Sequence, residues 1–188
     1  MAFENTTIPV NFVGNFKTGD NLVYNGGVLA GLIEKNDDGL FNKMAVLQAA
    51  SILETSLYEI IFRAQKFNRE GVPTISEIDR ADISTKTYDK LNNIIECMKK
   101  YKLLDSCQSD IYNELHKLRK YRNKIHIHLP IEISDVPADE ADAFSDEIAK
   151  WALSLCFDVL SFLNRNLSRP AHIKGHVADL TLPRWVNP

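Results

Sequence analysis

The segment "LRKYRNKIHIH", Leu118 to His128, carries Arg119, Lys120, Arg122, Lys124, His126 and His128 within eleven residues and ends at Leu129-Pro130. A histidine titrates near neutral pH and moves protons, whereas an arginine is a permanent forked donor that matches phosphate oxygens. Side by side they suit phosphoryl chemistry. At about 100° per residue Arg119, Arg122 and His126 lie on neighbouring parts of one helical face, with Arg119 and His126 about 10 Å apart along the axis. His128 is angularly displaced from Arg122, but the final turn before Pro130 can tighten and bring it inward. The bland alternative is a solvated basic helix face, and for Lys117, Lys120 and Lys124 it is the simpler reading. Arg122 stands apart, since a stripe from Leu118 to Ile125 calls for an apolar side chain there. A guanidinium at such a position has to be paired or to line a wet cleft. Glu54 is the candidate carboxylate.

The elements that must hold these residues are helices. Met44, Leu47, Ala50, Leu53, Leu57, Ile60, Ile61 and Ala64 recur at three- and four-residue steps, predicting a first long helix from Gly39 to about Phe67. Gly71 and Pro73 break it. A second helix, capped at Ser84, carries Tyr88, Leu91, Ile95 and Met98 and ends near Leu104. "DSCQSD" then offers caps for a third, with Ile111, Leu115, Leu118, Arg122, Ile125 and Leu129 as its stripe. After an acidic linker through Pro137, Phe144, Ile148, Trp151, Leu155, Val159 and Phe162 mark a fourth, running to about Asn166. The expected fold is all-α, an antiparallel four-helix bundle over residues 39–167. An irregular N-terminal extension, 1–38, holds at most a short helix weakened by Gly26 and Gly27. An irregular C-terminal tail covers 168–188.

Composition excludes several classes. With 188 residues, 45% hydrophobic, the chain can bury a core, and its net charge of −3 argues against a generally basic nucleic-acid coat. Cys97, Cys107 and Cys156 have neither an even count nor C-x-x-C spacing, against a disulfide framework or a zinc site. No run of eighteen apolar residues appears, so a soluble cytoplasmic protein without a membrane segment is the expectation. "GNFKTG" has the glycine spacing of a phosphate loop, but Asp20-Asn21 replaces its lysine and hydroxyl residue. His172 and His176 are separated by Gly175, which disfavours a helical metal pair. Asp135, Asp139, Glu140, Asp142, Asp146 and Glu147 are expected to cap helices. No metal and no cofactor is expected.

The arrangement of a third helix ending in arginine, a polar residue and a histidine resembles the HEPN domain, whose motif places four to six residues between arginine and histidine. Arg122-Asn123 followed by His128 fits with five intervening residues, and Arg119 to His126 fits with six; Arg122 to His126 has three and falls outside. "LRKYRN" is similar to the segment that commonly precedes the histidine. The resemblance spans roughly Gly39 to Asn166, and departs from the toxin variant with Tyr just after the histidine, because Leu129-Pro130-Ile131 follows His128. It implies a metal-independent endoribonuclease acting through 2'-hydroxyl attack, in toxin or antiviral defence, assembled as a homodimer through the third helix and restrained by an inhibitory protein partner. On that implication Arg122 holds the scissile phosphate, His128 or His126 moves protons, Asn123 positions the cleft, and Arg119, Lys117, Lys120 and Lys124 contact RNA. Many such domains are silent, so a dimerising or RNA- or protein-binding module stands as the alternative. The motif spacing favours His128 over His126. His128→Ala is expected to abolish RNA cleavage with folding intact, and His126→Ala to lower its rate only in part; the reverse outcome, measured on purified variants, would reassign the pair to Arg119 with His126.

Overall fold

The computed structural model describes residues 3–66, 72–125, 134–173 and 177–185. Its elements run β1 (Phe3–Ile8), α1 (Phe16–Glu34), α2 (Asn42–Lys66), α3 (Glu77–Ser84), α4 (Leu91–Lys100), α5 (Ile111–Asn123), α6 (Glu140–Ala143), α7 (Asp146–Asn166), one 3-10 turn at Ala171–Ile173, and β2 (Leu180–Trp185). The protein is mostly helical with one small two-stranded sheet. α2 is the organising element: 25 residues without Gly or Pro, buried on several faces, and packed against α1, α3, α4, α5 and α7. It is long and apolar enough to cross a membrane, yet 61% of its most apolar window is buried inside the fold, as in the core helix of a folded domain.

Side-chain bonds set the helix directions. Glu59, late in α2, accepts from Gly14 and Asn15 at the start of α1, while Gln48, earlier in α2, donates to Asn25 farther along α1. These two run oppositely. At the other flank Asn42 opens α2 and donates to Asp146 at the start of α7 (2.8 Å), and Arg63 near the end of α2 donates to the Leu167 carbonyl that follows α7 (2.5 Å). α2 and α7 therefore run the same way, whereas four successive antiparallel helices would oppose the first to the fourth. The reason lies between residues 72 and 90. Ser84 does not cap the second long helix. It is the last residue of α3, which has its own capping box from Ser76 and Asp79. α4 starts anew after Lys90, ends at Lys100 rather than near Leu104, and its last residues bind Asp82 of α3, beside the α2 end that Gln65 ties to Ile83 and Lys86. The extra helix gives α4 the direction of α2, and so reverses α5 and α7 from their expected sense.

The terminal segments are not irregular. α1 extends over 19 residues, and β2 pairs antiparallel with β1 in the register Phe3↔Trp185 to Ile8↔Leu180. Ile8, Phe12, Leu22, Leu29, Leu180 and Leu182 join the same buried cluster as α2 and α7. Gly26 makes that possible, because a Cβ there would run into the Leu180 side chain and stand 2.8 Å from the Thr181 carbonyl oxygen. The glycine that weakens the helix locally lets the strand lie on it. A Cβ at Gly27 would meet nothing within 4 Å. Accordingly Gly26→Ala is expected to destabilise by about 1–3 kcal/mol through overpacking. Gly27→Ala should stabilise by about 0.5–1 kcal/mol through helix propensity. Urea midpoints of the two variants check the pair.

Candidate functional site

α5 buries Ile111, Leu115, Leu118 and Tyr121. The last of these corrects the expected stripe. Tyr121, three residues beyond Leu118, takes the core position, while Arg122 is half-exposed and Ile125 is 50% exposed. The ring of Tyr121 packs edge-on to Phe144 (centroids 6.0 Å apart) and against Trp151 (5.8 Å). Tyr121 thus takes the core position that the stripe assigned to residue 122.

The cations of α5 divide between two flanks. On one flank Lys117 lies over the Trp151 ring, 4.3 Å from its centroid, and Trp151 Nε1 donates to Glu114. Lys120 pairs with Asp135 at 2.7 Å, and Lys124 donates to the Ala138 carbonyl at 2.7 Å. The Lys120 ammonium, hydrogen-bonded to Asp135, holds that carboxyl below its ordinary pKa. Three lysines expected as RNA contacts thus fasten segment 135–151 to α5. Of the acidic residues expected at helix starts, Asp139 caps α6 by accepting from Ala141 and Asp142, Glu140 and Asp142 lie in the first turn of α6, and Asp146 and Glu147 lie in that of α7, with Glu140 also pairing with Lys43 at 2.8 Å; Asp135 alone departs, serving Lys120.

The other flank carries the arginines. Arg122 Nη2 stands 2.8 Å from Glu54 Oε2 on α2, with side chains 40% and 19% exposed. Arg119 is half-buried, and its Nε has no hydrogen-bond partner among the described residues. One turn earlier His116 Nε2 lies 3.0 Å from Glu96 Oε1 of α4, and its Nδ1 is buried without a partner among the described residues. Asn123 is exposed at the end of the helix. His126 and His128 lie outside the described residues, as do Leu129 and His176. His116 escaped the sequence reading because its significance comes from Glu96, twenty residues away across the α4–α5 hairpin; a histidine three residues before Arg119 was the only local signal.

Chemically, a guanidinium held from one side by a carboxylate and open on the other can accept an anion, since one ion-pair contact uses only part of its five N–H donors. Among the described residues no three His, Cys, Asp or Glu side chains converge as a metal site. The densest titratable cluster elsewhere is Asp82, which accepts from Lys86 (2.7 Å), Lys100 (2.6 Å) and Tyr101 and is held below its ordinary pKa, first by Lys100. All three donors converge on Oδ2, so this carboxylate fastens α3 to α4. No protein-family model matches the chain, and neither a curated protein nor a solved structure was found to match it. For the central pair, a double-mutant cycle of Glu54→Ala and Arg122→Ala in chemical denaturation should give a coupling of about 0.2–1 kcal/mol, the range of half-exposed ion pairs. A coupling near zero would mean that the pair does not hold Arg122 in place.

Proposed function

We propose that the chain is a metal-independent endoribonuclease of the HEPN type, with α2, α4, α5 and α7 as the helices of a HEPN-like bundle. The observation that carries the reading is the Arg122–Glu54 pair: a guanidinium on the motif helix, oriented by a carboxylate from α2 and still 40% exposed. In the proposed reaction an RNA 2'-hydroxyl attacks the adjacent phosphorus. The P–O5' bond breaks, leaving a 2',3'-cyclic phosphate and a 5'-hydroxyl. The hydroxyl proton goes to a base and a proton is returned to the departing 5'-oxygen; His128, or His126 with it, is assigned that transfer, typically worth about 10²- to 10⁴-fold. Arg122 offsets charge developing on the phosphate oxygens, and Asn123 steadies the cleft. The active form is a homodimer joined through α5, in the cytoplasm, acting in toxin or antiviral defence under a restraining protein partner.

A second reading, a catalytically silent binding or dimerising module, is favoured by one set of contacts: Lys117, Lys120 and Lys124 are all engaged within the fold. Purified protein incubated with total RNA in excess chelator separates the two. Cleavage with cyclic phosphate ends is expected, falling by roughly 10²- to 10³-fold in Arg122→Ala; equal or absent cleavage in parent and variant would leave the binding module. Sedimentation of the parent as a monomer at micromolar concentration would remove the homodimer through α5.

A further inference from the structure

Two features of the arginine flank are left over once Arg122 is assigned. One is the Glu96–His116 contact, and the other is the pair of buried nitrogens that have no partner among the described residues, His116 Nδ1 and Arg119 Nε. They are complementary. If His116 gives its Nε2–H to Glu96, its Nδ1 is an acceptor, and Arg119 Nε–H is a donor one turn along the same helix. Unpaired buried polar atoms are destabilising, so a side-chain rotation that joins them is favoured, and it would engage Arg119 through Nε while leaving the Nη groups of its fork for a ligand. The result would repeat what Glu54 does for Arg122, with a histidine inserted between carboxylate and arginine.

We propose that Arg119 and Arg122, backed by Glu96–His116 and by Glu54 respectively, form a two-phosphate track along α5 that seats neighbouring phosphates of single-stranded RNA. This rests on the nuclease reading for the identity of the ligand, and it makes His116 a positioning residue that acts through Arg119. Three-residue spacing places the two arginines about 5–6 Å apart at Cβ, near enough for their forks to serve adjacent phosphates of one strand. The track leads from the α2 side toward α4, because Glu54 belongs to α2 and Glu96 to α4. It leaves the lysine flank outside the strand's path.

The test uses full-length protein and 2'-O-methyl oligonucleotides, which cannot be cleaved by their own 2'-oxygen. A dinucleotide with one internucleotide phosphate is compared with a trinucleotide carrying two. In the parent the second phosphate should tighten binding by about tenfold. In Arg119→Gln that gain should shrink to roughly twofold, with the salt slope falling by about 0.7 for the lost contact. His116→Leu should lose the gain as well, whereas His116→Gln, whose amide can donate to Glu96 and accept from Arg119, should keep most of it. Thermal unfolding of each variant verifies the fold, and Arg119→Gln decides the matter if His116→Leu does not fold. Equal gains in the parent and Arg119→Gln, or no gain and no binding in the parent, would overturn the track. Cleavage by the parent with equal gains in both proteins would sink the track and keep the nuclease; the reduced gain in Arg119→Gln without any cleavage would do the opposite.

Discussion

Two charged side chains one turn apart on α2, both sealed from solvent, hold together parts of the chain that are far apart in sequence. Glu59 accepts from the backbone N–H groups of Gly14 and Asn15, each at 2.8 Å, and Arg63 donates to the carbonyls of Phe12 (3.0 Å) and Leu167 (2.5 Å). The loop entering α1, the end of α7 and the last third of α2 are thereby tied at one place. Burial pushes the Glu59 carboxyl above its ordinary pKa, and the two N–H donors, Arg63 and Arg169 oppose that push. Removing either member of such an arrangement strands buried polar groups, at a cost of roughly 3–5 kcal/mol for a broken buried pair. An alternative packing of α1 or α7 on α2 would leave Glu59 or Arg63 without these partners.

The consequences reach α5. With the ends of α2 and α7 tied by Arg63 and their starts by Asn42, the two helices run together, and α5 lies against α2 with its end directed toward segment 138–144. That orientation sorts its cations. The lysines reach Trp151, Asp135 and the Ala138 carbonyl, while Arg122 reaches Glu54 and His116 reaches Glu96. A helix whose polar side reads as basic is, once packed, a fastening surface on one flank and a row of carboxylate-backed groups on the other. The proposed chemistry depends on that separation, because an arginine can hold a phosphate only where the fold has not already consumed its donors.

Helix positions were readable where a periodic apolar pattern ran uninterrupted. The expected Gly39–Phe67 helix and the observed Asn42–Lys66 differ by a few residues, and the fourth helix ends at Asn166 as its pattern required. The reading failed where local chemistry had two outcomes. Ser84 was a plausible cap, but Ser76 with Asp79 makes the reciprocal box and claims α3 for itself. Gly26 reads as a helix breaker until Leu180 is laid against it, and the alternating Leu180 and Leu182 of a six-residue strand are too short a signal without β1 opposite. For α5 the three- and four-residue steps admitted both Tyr121 and Arg122 as the next core position, and only Phe144 and Trp151 decided for the tyrosine.

By itself the sequence determined where most of the long helices lie, that the third is rich in cations, and that Arg122 needs a carboxylate or water; these follow from patterns within one or two helical turns. Glu54 was already the sequence's candidate partner for Arg122, but only tertiary structure brings the two together and sets Glu96 against His116. Glu54 opposite Arg122 and Glu96 opposite His116 depend on the directions of α2 and α4, and those depend on α3 and on the buried Glu59 and Arg63 contacts. Periodicity is a property of neighbours along the chain and carries no sign for helix direction, so an amphipathic stripe packs equally well pointing either way until a few long-range polar bonds, satisfied in one arrangement only, choose between them.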